Sequence, residues 1–237
     1  MPLIVLPNLI SPESSFATLP ADLSEEVVRL AGLIAESEKA ARRFLIRFLD
    51  RPKANSLPVY LLNEHTEKKA LFELFQELKK GLALGLISDA GLPVLADPGA
   101  DLIFLAQTAR PKIPVRVLGC ASSLLHALIL SGLPAQRFYF AGYLPRQEEA
   151  LQAKFKELEL FSLKNQATVL FIEAPYRNQQ LLQRALKTLK DKTTLAKALD
   201  LTGAGQDLFL ASVKDWKAAP PALDKHPAIF LFYAPPL

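Results

Sequence analysis

The chain has 237 residues, of which 50% are hydrophobic, and its formal net charge at neutral pH is +4. A chain of this size and composition can build one large core or two smaller ones, which excludes global disorder. The small excess of basic residues is compatible with a nucleic-acid partner but does not require one.

Cysteine and histidine usage limits the chemistry further. Cys120 is the single cysteine, so no internal disulfide can form, and His65, His126 and His226 show no ligand spacing. We therefore expect no metal site. The apolar start of the chain is interrupted by Pro7, and no apolar run reaches the ~18 residues of a membrane span, so we expect no membrane association and a cytoplasmic location.

Strand-like and helix-like segments alternate through the first half of the chain. This pattern predicts a parallel sheet covered by helices, an α/β fold. The predicted strands are 2–6, 32–35, 58–62, 82–87 and 114–118, and the predicted helices are 24–30, 38–50, 66–80, 100–109 and 121–131.

The second half has a different order of elements. Its predicted strands are 137–143, 168–172, 194–200, 206–212 and 227–233, and its predicted helices are 147–160 and 176–190. Consecutive strands near the end predict antiparallel pairing. We place the boundary at the proline-containing turn after Tyr143, giving an N-terminal α/β domain at 1–143 with a mainly parallel sheet and a C-terminal α/β domain at 144–237 with a mixed sheet.

The helix predicted at 38–50 is amphipathic and carries a basic face. Apolar residues fall on one side, and Lys39, Arg42, Arg43 and Arg47 are left on another. Such a stripe is either a solvated face or a set of phosphate contacts for a nucleic acid, to which the planar guanidinium is well suited.

The stretch 88–100 is the most informative segment, because two Asp/Gly/Pro turns follow a buried strand and precede a helix. Glycine permits close approach of a ligand, proline stiffens the backbone, and the aspartates offer carboxylates. The candidate binding residues here are Ser88, Asp89, Ala90, Gly91, Pro93, Asp97, Pro98 and Gly99. The alternative is a pair of ordinary tight turns.

Two other segments are candidate sites. Ser122 and Ser123 precede an apolar helix, where they either help to receive an anion or simply cap the helix. Glu173 and Arg177 flank the turn that includes Ala174 and Pro175 at the end of a strand, and they are either functional or a local ion pair.

These segments together resemble the tetrapyrrole methylase superfamily of S-adenosylmethionine-dependent methyltransferases. Within it they are most similar to the ribosomal RNA small subunit methyltransferase I group, which methylates a cytidine ribose 2′-hydroxyl. Ser88-Asp-Ala-Gly-Leu-Pro93 resembles S-D-A-G-T-P, Asp97-Pro-Gly99 matches D-P-G, and Ser131-Gly-Leu-Pro134 with Gly142-Tyr-Leu-Pro145 matches S-G-L-P and G-[FY]-L-P. After the first strand the chain reads Leu6-Pro-Asn-Leu9 where the group has I-G-N-L.

The resemblance implies two α/β domains with an S-adenosylmethionine cleft between them, and a homodimer. The implied cofactor residues are the candidates at 88–93 and 97–99, Ser122, Ser123, and Glu173, Ala174 and Pro175. We further expect Glu36 or Glu173 to act as base, Arg42, Arg43 and Arg177 to hold RNA phosphate, and RNA or the small ribosomal subunit to be the partner. Two alternatives stay open: methylation of a small tetrapyrrole or corrinoid precursor, and a non-catalytic cofactor-binding module.

Overall fold

The structure is a computed structural model that describes residues 3–11, 14–119, 121–219 and 227–236. Cys120 and His226 therefore lie outside the described residues. The chain divides into two compact units, Met1–Ser122 and Ser123–Leu237. This division falls earlier than the boundary expected after Tyr143, because the strand that ends at Tyr143 pairs within the second unit.

The first unit contains a five-stranded sheet in the order β3-β2-β4-β1-β5, with every neighbouring pair parallel. Its strands are β1 (Leu3–Val5), β2 (Gly32–Ala35), β3 (Val59–Leu61), β4 (Leu84–Leu86) and β5 (Val115–Val117). Its helices are α1 (Leu23–Val28), α2 (Glu38–Leu45), α3 (Arg51–Ser56), α4 (Lys68–Lys79) and α5 (Ala100–Thr108), with a short 3-10 helix at Phe16–Thr18. The predicted mainly parallel sheet is confirmed.

Helices cover both faces of this sheet. Alternate residues of the strands point to opposite sides, so Leu33 packs in one core with α1 and α2, while Ile34 packs in another with α4 and α5. The connections after the neighbouring strands β1 and β4 therefore leave toward opposite faces. Such divergence leaves a crevice at the carboxyl ends of the strands, where open α/β sheets bind ligands.

The helix predicted at 38–50 is shorter in the structure, and a second helix that was not predicted follows it. α2 ends at Leu45, and α3 starts after Asp50, whose side chain accepts a hydrogen bond from the Lys53 backbone N–H at 2.8 Å. Pro52 stands in the first turn of α3, where a missing N–H is tolerated. The Asp50 cap and Pro52 together mark the start of a new helix at Arg51. The apolar periodicity alone does not indicate this start.

The second unit contains a mixed five-stranded sheet in the order β6-β7-β10-β8-β9. Its strands are β6 (Phe138–Tyr143), β7 (Thr168–Glu173), β8 (Thr194–Leu199), β9 (Asp207–Ser212) and β10 (Ala228–Tyr233). Its helices are α6 (Ser123–Ser131), α7 (Glu148–Asn165), α8 (Asn178–Thr188) and α9 (Val213–Ala218), with a 3-10 helix at Pro175–Arg177. The expected antiparallel pairing is confirmed for β8 with β9 and β10.

The core of the second unit is aromatic. Phe171 of β7 stacks on Phe230 of β10 with ring centroids 5.5 Å apart, and both are buried against α7 and α8. Trp216 of α9 is fully buried and donates its indole N–H to the Leu195 carbonyl at 2.8 Å. This packing holds the carboxyl end of β7, where Glu173 stands, on a rigid sheet.

Candidate functional site

Polar side chains collect at the carboxyl edge of the first sheet. Asn8 follows β1, Glu36 follows β2, Asn63 follows β3, and Ser88 follows β4. The strands are parallel, so their carboxyl ends meet at one edge and bring these distant residues together. The Asn63 side-chain amide donates to the Glu36 carbonyl at 3.3 Å, which ties the ends of β3 and β2.

The candidate loop 88–99 lies at this edge and is conformationally strained. Val94 and Ala96 have φ values of 79° and 69°, in the left-handed region that L side chains rarely occupy. Gly99 has φ 128° and precedes α5. Strain of this kind is retained only where the surroundings impose it, and it clusters at ligand sites.

The predicted binding residues of this loop differ in exposure. Ser88, Gly91, Pro93 and Gly99 are buried, Asp97 and Pro98 are partly buried, and Asp89 and Ala90 are exposed. The buried members fix the backbone, since the Ser88 hydroxyl donates to the Ala90 carbonyl at 3.0 Å. The exposed and partly buried members are those available to a ligand.

Three carboxylates interact electrostatically in this part of the unit. Burial raises the pKa of Asp97 to about 6, and the negative charge of Glu36 adds to the effect, while the Ser88 hydroxyl offsets part of it. The pKa of Glu36 is also raised, chiefly by burial, although the Asp89 backbone N–H partly compensates by donating to its Oε1 at 3.4 Å. The site therefore concentrates negative charge that a cation would relieve.

A cavity of about 400 Å³ opens beside Asp97 within the first unit. The loop after β3 and the start of α5 form its walls, and both supply acids and hydrogen-bonding groups. Its polar lining consists of Asn63, Glu64, Thr66, Asp97 and Asp101. A cavity of this size and polarity is suited to one small polar molecule with cationic or hydroxyl groups.

Asn8 joins the ends of β1 and β4 and was not singled out from the sequence. Its side-chain amide donates to the Ser88 and Asp89 carbonyls, each at 3.0 Å, and its backbone N–H donates to the Gly91 carbonyl at 2.8 Å. These contacts span some eighty positions of sequence, so no local pattern indicates them. The asparagine in the turn after the first strand was the only available signal.

The arginines of the basic face have different environments. Arg42 is held by other residues of the same unit. Its guanidinium donates to the Glu38 carboxylate, to the Ala54 carbonyl at 2.5 Å and to the Leu57 carbonyl at 2.7 Å. Arg43 is exposed. Arg47 is partly buried and donates to Asn8 Oδ1 at 2.7 Å. The structure thus gives Arg42 a role in joining α2 to α3 rather than a free guanidinium for RNA.

In the second unit, Glu173 and Arg177 form a buried local ion pair. Arg177 Nη1 lies 3.2 Å from Glu173 Oε2, and the side chains are 14% and 3% exposed respectively. The other carboxylate oxygen accepts from the Ala174 backbone N–H at 2.8 Å. Ala174 caps the 3-10 helix that Pro175 begins. Both charged groups are engaged with each other, which differs from the base and RNA-binding roles expected of them.

The remaining predicted residues lie where the two units meet in sequence. Ser122 is buried at the end of the first unit, and Ser123 is the first residue of α6 in the second. Within the described ranges, no group of three or more His, Cys, Asp or Glu side chains is arranged to hold a metal ion. No helix in the described part of the chain is long and apolar enough to cross a membrane.

Solved structures define the class of fold. The methyltransferase CobJ superposes with a TM-score of 0.57 at 14% identity, covering 93% of this chain and 90% of CobJ. Diphthine synthase superposes with a TM-score of 0.64 at 13% identity, covering 98% of this chain and 89% of that protein. The chain has the fold of these methyltransferases, as the resemblance predicted.

Sequence relatives define the family, although no family model matches the chain. Ribosomal RNA small subunit methyltransferase I of Thermotoga maritima is 33% identical over 159 residues, which are 67% of this chain and 68% of that protein. The Micromonospora olivasterospora protein of the same name is 33% identical over 193 residues, 81% of this chain and 58% of the relative. The Bacillus subtilis protein of the same name is also 33% identical, and the match covers 52% of its length. The chain belongs to the ribosomal RNA small subunit methyltransferase I family and spans about half to two thirds of these relatives.

Proposed function

We propose that this protein is an S-adenosylmethionine-dependent methyltransferase whose cofactor binds at the carboxyl edge of the first sheet. The observation that carries the proposal is a cluster of three interacting carboxylates, those of Glu36, Asp89 and Asp97. They lie in and beside the loop that matches the family motif. S-adenosylmethionine has a sulfonium and an ammonium group against one carboxylate, so it is a net cation. Its binding would relieve the repulsion among these acids.

The residues present fit this cofactor. The cavity beside Asp97 has the volume of a small-molecule site, and Glu64, Asp97 and Asp101 complement positive charge. Gly99 has no Cβ, so the backbone can pass close to Leu86 and Val94 where the loop meets α5. When bound, S-adenosylmethionine supplies a methyl group that is already activated for transfer. The chain itself has to hold the acceptor in line, exclude water and accept a proton.

We assign proton acceptance to Asp97. A base works best when its pKa is near the working pH, and burial has moved the Asp97 carboxyl in that direction. Of the two bases expected from the sequence, Glu36 acts on Asp97 through its negative charge and raises the pKa of Asp97, whereas Glu173 forms an ion pair with Arg177. Glu36 therefore supports the base electrostatically, and Glu173 holds the end of β7 in place.

We propose RNA of the small ribosomal subunit as the acceptor, with a ribose 2′-hydroxyl as the reacting group. The names of the sequence relatives support this class of substrate. We propose a cytoplasmic location on the same ground, since the ribosomal substrate would be met there.

The exposed arginine of α2 is the proposed phosphate contact, and its neighbour provides the control. We expect Arg43→Met to weaken RNA binding and to reduce the slope of log K against log salt concentration by about 0.7 to 0.9, because one phosphate contact is lost. Arg42→Met should instead lower the free energy of unfolding by roughly 2 kcal/mol, since the Ala54 and Leu57 carbonyls lose their donor. Filter binding at several salt concentrations and urea unfolding measure the two effects. Equal salt slopes in wild type and Arg43→Met would contradict the assignment.

We also propose that two copies of the chain associate. Leu125 and Ile129 stand one turn apart on α6 with relative exposures of 48% and 78%, a pair of apolar side chains suited to burial against a second copy. Sedimentation equilibrium measures the association, and a monomer at micromolar concentration would contradict it.

Calorimetric titration with S-adenosylmethionine tests the cofactor proposal. We expect binding that strengthens as pH rises through about 6, because Asp97 must lose its proton to receive a cation. A neutral analogue without the sulfonium should show a weaker dependence on pH. Absence of binding would remove the main support for methyl transfer, and binding without turnover on any RNA would favour the non-catalytic module.

A further inference from the structure

Asn8 uses the full hydrogen-bonding capacity of its side chain. The amide nitrogen donates to two backbone carbonyls, those of Ser88 and Asp89. The amide oxygen accepts from the Leu9 backbone N–H at 2.9 Å and from Arg47 at 2.7 Å. Two donors and two acceptor sites are all that a carboxamide has, so the residue is saturated. It is also buried, with 8% of its surface exposed.

The partners fix the orientation of this amide. Carbonyl oxygens only accept hydrogen bonds and a guanidinium only donates them, so the nitrogen must face Ser88 and Asp89 while the oxygen faces Arg47. A flipped amide would place like groups against each other at both ends. Arg47, together with the Leu9 backbone N–H, therefore favours the side-chain orientation that binds the start of the candidate cofactor loop.

Arg47 is a partly buried, charged donor that lies near a second arginine. Burial and the adjacent positive charge of Arg43 lower the pKa of Arg47 below its usual value, although a guanidinium remains charged in proteins. Its bond to Asn8 is charge-assisted and about twice as strong as a neutral one. Arg43 lies in the last turn of α2 and Arg47 in the turn that follows, close enough for the two charges to repel each other. The partly buried arginine is therefore near the exposed one that we propose binds RNA phosphate.

We infer that Asn8 and Arg47 are positioning residues that hold the Ser88–Gly91 turn in its binding conformation and connect it to the turn that follows α2, next to Arg43. The inference rests on the proposed function of the loop. Phosphate bound at Arg43 would offset the repulsion between Arg43 and Arg47, and so favour the position in which Arg47 reaches Asn8. RNA binding and cofactor binding are then mutually favourable, since a coupling free energy between two sites is reciprocal.

The test compares Arg47→Met with Arg51→Met, which removes an exposed guanidinium from the start of α3. We expect Arg47→Met to weaken S-adenosylmethionine binding at least tenfold in calorimetry, whereas Arg51→Met binds as wild type does. Arg47→Lys should restore only part of the affinity, because a point charge replaces a planar donor. A short cytidine-containing RNA hairpin should tighten cofactor binding to wild type and leave Arg47→Met unaffected.

Hydrogen exchange gives a readout that needs no cofactor. The Gly91 backbone N–H donates to the Leu9 carbonyl at 3.3 Å, and in Arg47→Met it should exchange faster while the β4 amides keep their protection. If Arg47→Met leaves both the exchange at Gly91 and the cofactor affinity unchanged, the inference is overturned. It is also overturned if Arg47→Met lowers the melting temperature but binds the cofactor with wild-type affinity. If wild type binds no S-adenosylmethionine, the proposed function fails, and faster Gly91 exchange in Arg47→Met would still show the positioning role.

Discussion

Replacing Asp97 with asparagine should reduce kcat/KM at least 100-fold while making the protein more stable at neutral pH. General-base catalysis typically contributes 10²- to 10⁴-fold, and asparagine cannot accept the proton. In wild type we expect kcat/KM to rise with pH along a limb near pH 6, the pKa of Asp97. The Asp97→Asn variant should show no such limb.

The gain in stability follows from the direction of the pKa shift. Because folding raises the pKa of Asp97 from 3.8 to about 6, the folded state binds its proton more tightly, and stability is lost as pH rises between these values. Asparagine removes that loss. We expect a gain of about 1 kcal/mol at pH 8, a figure reduced for the solvent that still reaches the carboxylate, and no gain below pH 4.

Two other variants separate Asp97 from the neighbouring acids. Glu36→Gln should retain activity with its acidic limb moved to lower pH, because a negative charge beside Asp97 is removed. Asp101→Asn takes a carboxylate from the same cavity and controls for loss of charge alone. A loss of activity in Glu36→Gln as large as in Asp97→Asn would transfer the base role to Glu36.

The second large effect is expected at Gly99, where alanine should lower the free energy of unfolding by roughly 3 kcal/mol. The residue has φ 128°, and an added Cβ would lie 2.8 Å from Leu86 Cδ2 and 3.2 Å from Val94 Cγ2. Backbone strain contributes about 1 to 3 kcal/mol, and overpacking of a filled core adds a similar amount. Leu86 is 1% exposed, so its side chain has little room to move away.

Gly81→Ala is the matched control for this substitution. Gly81 also has positive φ, 82°, but no atom lies within 4 Å of an added Cβ. Its alanine variant therefore carries the backbone strain without the steric contact. Urea unfolding of both variants isolates the packing contribution. Equal losses at the two glycines would show that the loop does not pack closely on β4.

The first half of the fold followed from the sequence because its strands are short, apolar and separated by recognisable helices. β2 spans the predicted residues 32–35, and α5 differs from its prediction by one residue. The capping side chains of Asp50 and Ser212 mark the starts of α3 and α9. Neither helix was predicted, because both are short and their cap residues fall at the ends of other predicted elements, Asp50 at the end of the helix 38–50 and Ser212 at the end of the strand 206–212.

The site was less predictable, because its main contacts join distant parts of the chain. The loop 88–99 stood out through its own glycines, prolines and aspartates, but its hydrogen bonds to Asn8 depend on β1 and β4 becoming neighbours. Arg42 and Arg43 look alike in an amphipathic pattern. Only the position of α3 determines that one guanidinium reaches two backbone carbonyls while the other stays in solvent.

Methyl transfer from radiolabelled S-adenosylmethionine into unmethylated small ribosomal subunits tests the central claim most directly. We predict incorporation of label into the RNA by wild type, recovery of the label as a 2′-O-methylated nucleoside after digestion, and a loss of at least 100-fold in Asp97→Asn. Protein that binds the cofactor yet labels neither intact subunits nor their extracted RNA would contradict the claim. Label recovered on a nucleobase would contradict the proposed acceptor while leaving the methyltransferase activity in place.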